Sequence, residues 1–487
     1  MSAFERLSGQ DVSFLFFETA NTPMNVGGVS VFEGGALVRA DAAVDVDRIK
    51  AYIAAQLHKV PRYRHRLAYI PVENQPVWVD DERFDLDYHV RHVALPRPGN
   101  DEQLKRLAAD ILARPLDRSR PLWESWIVEG LPDGRFAFVT KAHHCMVDGI
   151  SGVDLSAVMM STAPRTTFAR PRRWRPRPPR SGIEMLRDDV LARVRLPFTS
   201  PARAPSRDIP RSDIGQRLAA VWQTLQNGLR SAANTPLNRP LGPHRRFEWL
   251  QMDLVRIKEV KNRLGGTVND VVLATVAGAL RRFLRRRNVP VSSLDFRVAV
   301  PVNTRSAEDL HVLGNRTSVW LTSLPVSERD PRRRLAQICA TTASLKRSGG
   351  AAGTDVLMRL ADWAGPAGVA LGVRMAERVT PYNLIVTNVP GPQFPLHLLD
   401  ARLLQAYPLV PLFENQGLGI ALFSYDGQLC WGLNADRDLV PDLHMLADDI
   451  EGSFVELQSA AGSTRSPQST SRREPALLTA SSRARLR

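Results

Sequence analysis

The stretch "RPRRWRPRPPR" (residues 170–180) limits what this chain can fold into more than any other. Four of its eleven residues are proline. Each proline fixes φ and lacks an amide proton, so the segment cannot be a regular helix or an interior strand. The chain has 487 residues, more than one ordinary domain holds. The break therefore predicts two folded parts. We expect an N-terminal domain over 1–163, a basic Pro/Arg-rich crossover with amphipathic helices over 164–246, and a second domain over 247–457. A Ser/Arg-rich tail, expected to be disordered, covers 458–487.

The net charge of +15 is unevenly spread. Between Arg165 and Arg246 there are 18 arginines against five acidic residues, and the tail from Ser459 adds six arginines against one glutamate. The remainder is slightly acidic. A nucleic-acid-binding protein carries its charge on a folded face, so that class is not indicated. A basic connector suits an anionic lipid surface or solvent, and Trp174 within it suits a membrane interface. The three cysteines (Cys145, Cys339 and Cys430) are far apart, with no CxxC pair. They indicate neither a disulfide framework nor a zinc site. No run of about 18 apolar residues spans a membrane, and the N-terminus does not read as a signal peptide. We expect a cytoplasmic setting.

Periodicity places the elements. "VGGVSVFEG" and "RFAFVTKAHH" alternate as strands, and "DVDRIKAYIAAQLHKV" has the apolar stripe of a helix. Ser151 is a candidate cap for a helix over "SGVDLSAVMM". In the second part, "DLVRIKEVKNRLGG" reads as a helix capped by Asp253 and stopped at Gly265. "TVNDVVLATVAGALRRFLRRR" reads as a helix opened by Thr267 and Asp270. "FRVAVPVN", "NLIVTNV", "GLGIALFSYDG" and "QLCWGLNAD" read as strands, the last two joined as a hairpin at Asp426-Gly427.

One short motif carries chemistry: "HHCMVDG", with His143 and His144 at a strand end and Asp148 and Gly149 beyond. Imidazole, with a pKa of about 6.5, suits proton transfer near neutral pH. Adjacent strand residues point to opposite faces, so only one ring can face a substrate and the pair is a poor metal site. Cys145 as a nucleophile is the weaker alternative, since its side chain is expected in the core.

HHxxxDG resembles the signature of acyltransferases similar to chloramphenicol acetyltransferase and the condensation domains of nonribosomal peptide synthesis. "RLSGQDVSFLF", "PMNVGGVSVFE", "RPLWE", "TPLNRPLGPHRRFEW", "TVNDVVLA", "VPVNTR", "LGNRTS", "NLIVTNVPGP" and "SYDGQLCWGLNADRDLVPD" narrow the resemblance. Together they look like the bacterial wax ester synthase/acyl-CoA:diacylglycerol acyltransferase family, in order from Met1 to Leu457. The basic crossover and tail carry none of its motifs.

The resemblance implies an α+β fold of two chloramphenicol acetyltransferase-like domains, each a mostly antiparallel sheet with helices, meeting at a central tunnel. It implies His144 as general base, His143 in support, and Asp148 and Gly149 in structural roles. Asp148 would pair with Arg64 or Arg66 in "PRYRHRL". Asn269 and Asp270 would organise the tunnel, with helix capping the stronger reading for Asp270. Pro121, Leu122 and Trp123 match the family motif and are expected mainly to pack. No cofactor or metal is implied. Acyl-CoA is a substrate, and diacylglycerol or a long-chain alcohol is the acceptor. Attachment to a membrane or lipid-droplet surface is expected, and no nucleic acid partner. The alternatives are a condensation-type acyltransferase acting on another hydroxyl, and a non-catalytic lipid-binding or nucleic-acid-binding protein, the last less favoured because the charge lies in the crossover and tail.

Overall fold

The structure, a computed structural model, describes residues 4–39, 43–146, 158–178, 180–187, 231–303, 317–347, 370 and 381–462. The expected helices at 151–160 and 214–229 fall wholly or mostly outside these residues.

The first part contains β1 (Glu5–Arg6), α1 (Gly9–Phe17), β2 (Asn25–Phe32), α2 (Val46–Gln56), β3 (His65–Ile70) and β4 (Gln75–Asp80). There follow α3 (Leu86–His89), β5 (Val90–Ala94), α4 (Asp101–Leu112), β6 (Trp123–Glu129), β7 (Phe136–His143) and β8 (Met160–Ser161). The second part contains β9 (Arg245–Asp253), α5 (Leu254–Leu264), α6 (Val268–Arg286), β10 (Phe296–Asn303), β11 (Thr317–Leu324) and α7 (Pro331–Arg347). It ends with β12 (Leu384–Pro390), β13 (His397–Leu398), β14 (Ala401–Leu409), β15 (Leu418–Tyr425), β16 (Gln428–Asp436) and α8 (Leu443–Gly462).

Local chemistry sets the element ends. Asp253 accepts the Val255 amide at the start of α5, and Gly265 closes it at φ 90°, a conformation that favours glycine. Thr267 and Asp270 form a reciprocal capping box at α6. Asp426 and Gly427, at φ 44° and 81°, make the tight turn between β15 and β16.

Two mixed sheets result. The first runs β5-β6-β7-β2-β14-β13-β8 and the second β11-β10-β12-β15-β16-β9. Pairings are antiparallel except β5–β6, β10–β12 and β12–β15. The strand order departs from a simple division of the chain, because β13 and β14, from the second part, complete the first sheet. β14 is the seam. A Cβ on Gly28 of β2 would lie 2.1 Å from the Tyr407 carbonyl oxygen, and one on Gly432 of β16 would lie 1.8 Å from that of Pro408. Only glycine lets both sheets approach β14 so closely. One core cluster crosses the seam, joining Val29, Val31 and Val139 to Phe247, Trp249, Tyr407 and Cys430. Trp249 stacks on Tyr407 at 4.7 Å.

Two further features differ from expectation. Helix α8 continues past 457 to Gly462, because Leu457 and Ala461 are buried in the second core. The Pro/Arg segment lies against the small sheet β1-β4-β3. Trp174 donates its indole N–H to the Asp81 carbonyl (3.1 Å), and Arg177 grips Asp80 through Nε (3.1 Å) and Nη2 (2.8 Å). Met185 is buried with Phe4, Ile70, Val77 and Val79.

Candidate active site

β7 delivers the histidine pair. His143 is its last residue, and His144 opens the short helical turn His144–Met146. The His143 amide donates to the Leu122 carbonyl (2.9 Å) and the His144 amide to that of Met24 (2.8 Å). The pair is thus fixed between the starts of β6 and β2.

The two rings have different surroundings. His143 is fully buried. Its Nδ1 accepts the Cys145 amide (3.2 Å) and lies 2.9 Å from Cys145 Sγ. An accepting Nδ1 assigns the ring proton to Nε2, which lies 3.6 Å from Glu18 Oε1. Glu18 sits just after α1. Its Oε2 accepts from Arg118 Nε (3.0 Å) and Nη2 (2.7 Å), and its Oε1 accepts the Met24 amide (3.3 Å). Burial alone would raise its carboxyl, but the His143 N–H facing it and the hydrogen bonds and charge of Arg118 outweigh this and hold it below the usual carboxylate range.

His144 stacks on Phe14 of α1, centroids 3.7 Å apart and planes 15° apart. Burial, aided by the neighbouring His143, lowers its pKa to about 4. It is therefore neutral at pH 7. Its Nδ1 is buried without a partner. Nε2 is neither bonded nor fully covered among the described residues, so it is the nitrogen open to a substrate. Cys145 is buried, and desolvation pushes its thiol well up, which keeps it protonated and a poor nucleophile.

The other expected residues are spread out. Asp148 and Gly149 lie outside the described residues. Leu122 and Trp123 are buried. Leu122 supplies the carbonyl that holds His143, and Trp123 donates to the Tyr63 carbonyl (2.8 Å) and stacks on His89 at 4.6 Å. Pro121 accepts the Trp123 amide through its carbonyl (2.9 Å). Arg64 is buried with Nε unpaired, its guanidinium over Phe84 and Trp174. It has no acidic partner among the described residues. Arg66, on β3, donates to the Leu67 carbonyl (3.3 Å). Asn269 is half-buried in the first turn of α6. Buried Asp270 has both oxygens engaged: Oδ2 accepts from the Thr267 amide and hydroxyl, and Oδ1 from the Thr342 hydroxyl (2.8 Å each).

Sequence reasoning missed Glu18, Arg118 and Phe14. The available signal was an acid directly following the apolar helix "VSFLFF", where a charge is costly unless paired. Among the described residues no group of three or more His, Cys, Asp or Glu could hold a metal, and no helix is long and apolar enough to cross a membrane.

Two mixed sheets fused along one strand, with a histidine pair at a strand end, define the condensation-domain class of fold. The first condensation domain of the CDA synthetase is similar with a TM-score of 0.56 at 16% identity, over 94% of this chain and 97% of that one. The chain belongs to the wax ester synthase/diacylglycerol acyltransferase family: the family's catalytic-domain model matches residues 7–272 and its C-terminal-domain model residues 313–458. It is similar to the wax ester synthase/diacylglycerol acyltransferase of Marinobacter aquaeolei VT8, with a TM-score of 0.67 and 28% identity over 94% of this chain and all of that one. Two Mycobacterium tuberculosis proteins named as diacylglycerol O-acyltransferases are also similar. tgs1 is 33% identical over 466 residues, 93% of this chain and 95% of its own. tgs2 is 35% identical over 473 residues, 93% and 98% respectively.

Proposed function

We propose that this chain is an O-acyltransferase that moves a long-chain acyl group from acyl-CoA to the hydroxyl of diacylglycerol, a long-chain alcohol, or both. The observation that carries this reading is the neutral His144 ring, stacked on Phe14 with only Nε2 open. His144 Nε2 accepts the acceptor hydroxyl's proton as its oxygen attacks the thioester carbonyl carbon. A tetrahedral oxyanion forms, the carbon–sulfur bond breaks, and Nε2 returns the proton to the departing CoA thiolate. The ester and free CoA leave. Neither a cofactor nor an acyl-enzyme is required. The two substrates would reach His144 through the tunnel that the family resemblance implies.

In the same proposal His143 and Glu18 hold the turn that carries His144. Asp148 shapes the following loop with Arg64 or Arg66, and Gly149 permits its tight path. Asn269 borders the tunnel, and Asp270 holds the start of α6.

The substrates are poorly soluble, which favours attachment to a membrane or lipid-droplet surface. Trp174 remains part-exposed, with its indole N–H held by the Asp81 carbonyl. The better-placed apolar groups are Val72 (93% exposed) and Tyr69 at the β3–β4 turn, with Ile183 (83% exposed). Gly182 abuts Pro71 of that turn, which brings Ile183 beside it. Arg172, Arg173 and Arg175, beside Trp174 at the other end of β4, are exposed and supply positive charge to the same sheet.

The test is release of CoA thiol by the purified protein given acyl-CoA with diacylglycerol, and separately with a long-chain alcohol. We expect acceptor-dependent release and ester formation that His144→Ala abolishes. No ester with either acceptor would overturn the assignment.

A further inference from the structure

A second concavity of about 470 Å³ lies on the helical layer of the second part and shares no residue with the histidine site. Arg281, Arg282, Arg285 and Arg286 of α6, with Arg329 and Arg334 at the start of α7, line it. The only acid in the lining is Glu456 of α8.

The partners of these arginines leave the cavity cationic. Arg286 is neutralised by a two-pronged pair with Asp449 (2.8 and 2.5 Å). Arg282 bonds Glu456 at 2.6 Å, and Arg334 reaches the same carboxylate at only 3.4 Å. Arg281 donates to the Val326 and Ser327 carbonyls. Arg285 and Arg329 are exposed and have no acidic partner among the described residues.

The packing shows a built site rather than a solvated charged face. Arg334 is 1% exposed and threads between α6 and α8 to donate to the Ala274 carbonyl (3.1 Å). It passes only because residue 278 is glycine: a Cβ there would lie 2.6 Å from Arg334 Nη2 and 2.2 Å from Ser453 Oγ. Ser453 Oγ is itself buried without a partner. A buried guanidinium is costly unless well compensated; beyond Ala274, Arg334 has only a long bond to the Glu328 carbonyl (3.4 Å) and one shared, partly exposed carboxylate.

We propose that this cavity is a binding site for a phosphate-bearing anion. Several guanidinium groups converging on one concavity match the charge and forked geometry of phosphate oxygens. The phosphate could be that of a free compound or of a lipid headgroup, and one experiment separates the two sources.

The full-length protein is titrated with inorganic pyrophosphate by calorimetry, and floated with phosphatidylcholine vesicles with and without phosphatidate. The comparison is a variant carrying Arg285→Gln and Arg329→Gln. Both residues are exposed and have no acidic partner among the described residues, so the melting temperature without ligand should not change. We expect saturable binding by the wild type, weakened about tenfold or more in the variant and by added salt. Pyrophosphate binding assigns a free phosphate compound, and binding to phosphatidate vesicles alone assigns the headgroup. Either supports the site. Wild type that binds neither probe, or a variant that binds as tightly as wild type, overturns it. Should the double variant melt lower, Arg285→Glu alone carries the same test.

Discussion

Glu18 Oε1 stands 3.6 Å from His143 Nε2 while both Nε and Nη2 of Arg118 hold its Oε2. The carboxylate's charge favours the His143 proton on Nε2 across that gap, consistent with Nδ1 accepting the Cys145 amide (3.2 Å). That amide belongs to the turn on which His144 sits. Glu18 therefore acts on the proposed base through two intermediates and is a positioning residue.

Glu18→Gln tests this relation. An amide must turn its NH2 either to the His143 N–H and the Met24 amide or to the two Arg118 donors, so one side of the site loses its acceptor. The 3.6 Å contact is electrostatic, longer than a hydrogen bond; losing it is worth about 1–2 kcal/mol, so kcat should fall roughly fivefold to thirtyfold, with KM little changed. Unchanged kcat would remove Glu18 from the machinery.

The two histidines should respond differently to truncation. His144→Ala should lower kcat by about 10²–10⁴-fold and leave the melting temperature near that of wild type. His143→Ala opens a hole in a fully buried place and removes the ring facing Glu18. Glu18 keeps Arg118 and the Met24 amide, so the cavity is the main cost: the variant should lower the melting temperature clearly and cost activity less than His144→Ala in folded protein. Wild-type turnover by His144→Ala would sink the proposed mechanism.

The pH dependence follows from the lowered His144 pKa of about 4. The base works when neutral, so kcat/KM should stay flat from pH 7 down to about 5. It should then fall with an apparent pKa near 4 instead of the ordinary value of about 6.5. Stability shares the direction. A base whose folded pKa is depressed is stabilising above its unfolded pKa, and this contribution is lost as pH falls from about 6.5 towards 4. An acid limb near 6.5 would show that His144 is more solvated than its packing against Phe14 implies.

Much of this was legible because it is local. Strand alternation ending at His143, the Thr267–Asp270 cap and the Asp426-Gly427 turn all depend on neighbours in sequence. What could not be read joins distant segments. Glu18 meets His143 across the sheet, and Arg118 lies 100 residues from Glu18. β14 belongs to the second part but pairs with β2 because Gly28 and Gly432 admit it from both sides. The arginines of 170–180 read as free charge, although Arg177 is taken up by Asp80 and Trp174 by Asp81. Pairing partners chosen by the tertiary fold leave no periodic trace.

Asp270 offers the last test, because its geometry separates holding from chemistry. Its Oδ2 accepts from the Thr267 amide and hydroxyl, and its Oδ1 from the Thr342 hydroxyl. One carboxylate thus caps α6 and ties it to α7, with no oxygen left for a substrate. Asp270→Ala removes the cap, worth about 0.5–2 kcal/mol, and cuts the tie to α7, although the Thr342 hydroxyl can still donate to the Cys339 carbonyl (3.2 Å). The melting temperature should therefore drop by a few degrees. At a temperature where the variant is fully folded, kcat should stay within a few-fold of wild type. A variant as stable as wild type yet inactive would place Asp270 at the substrate and reverse this assignment.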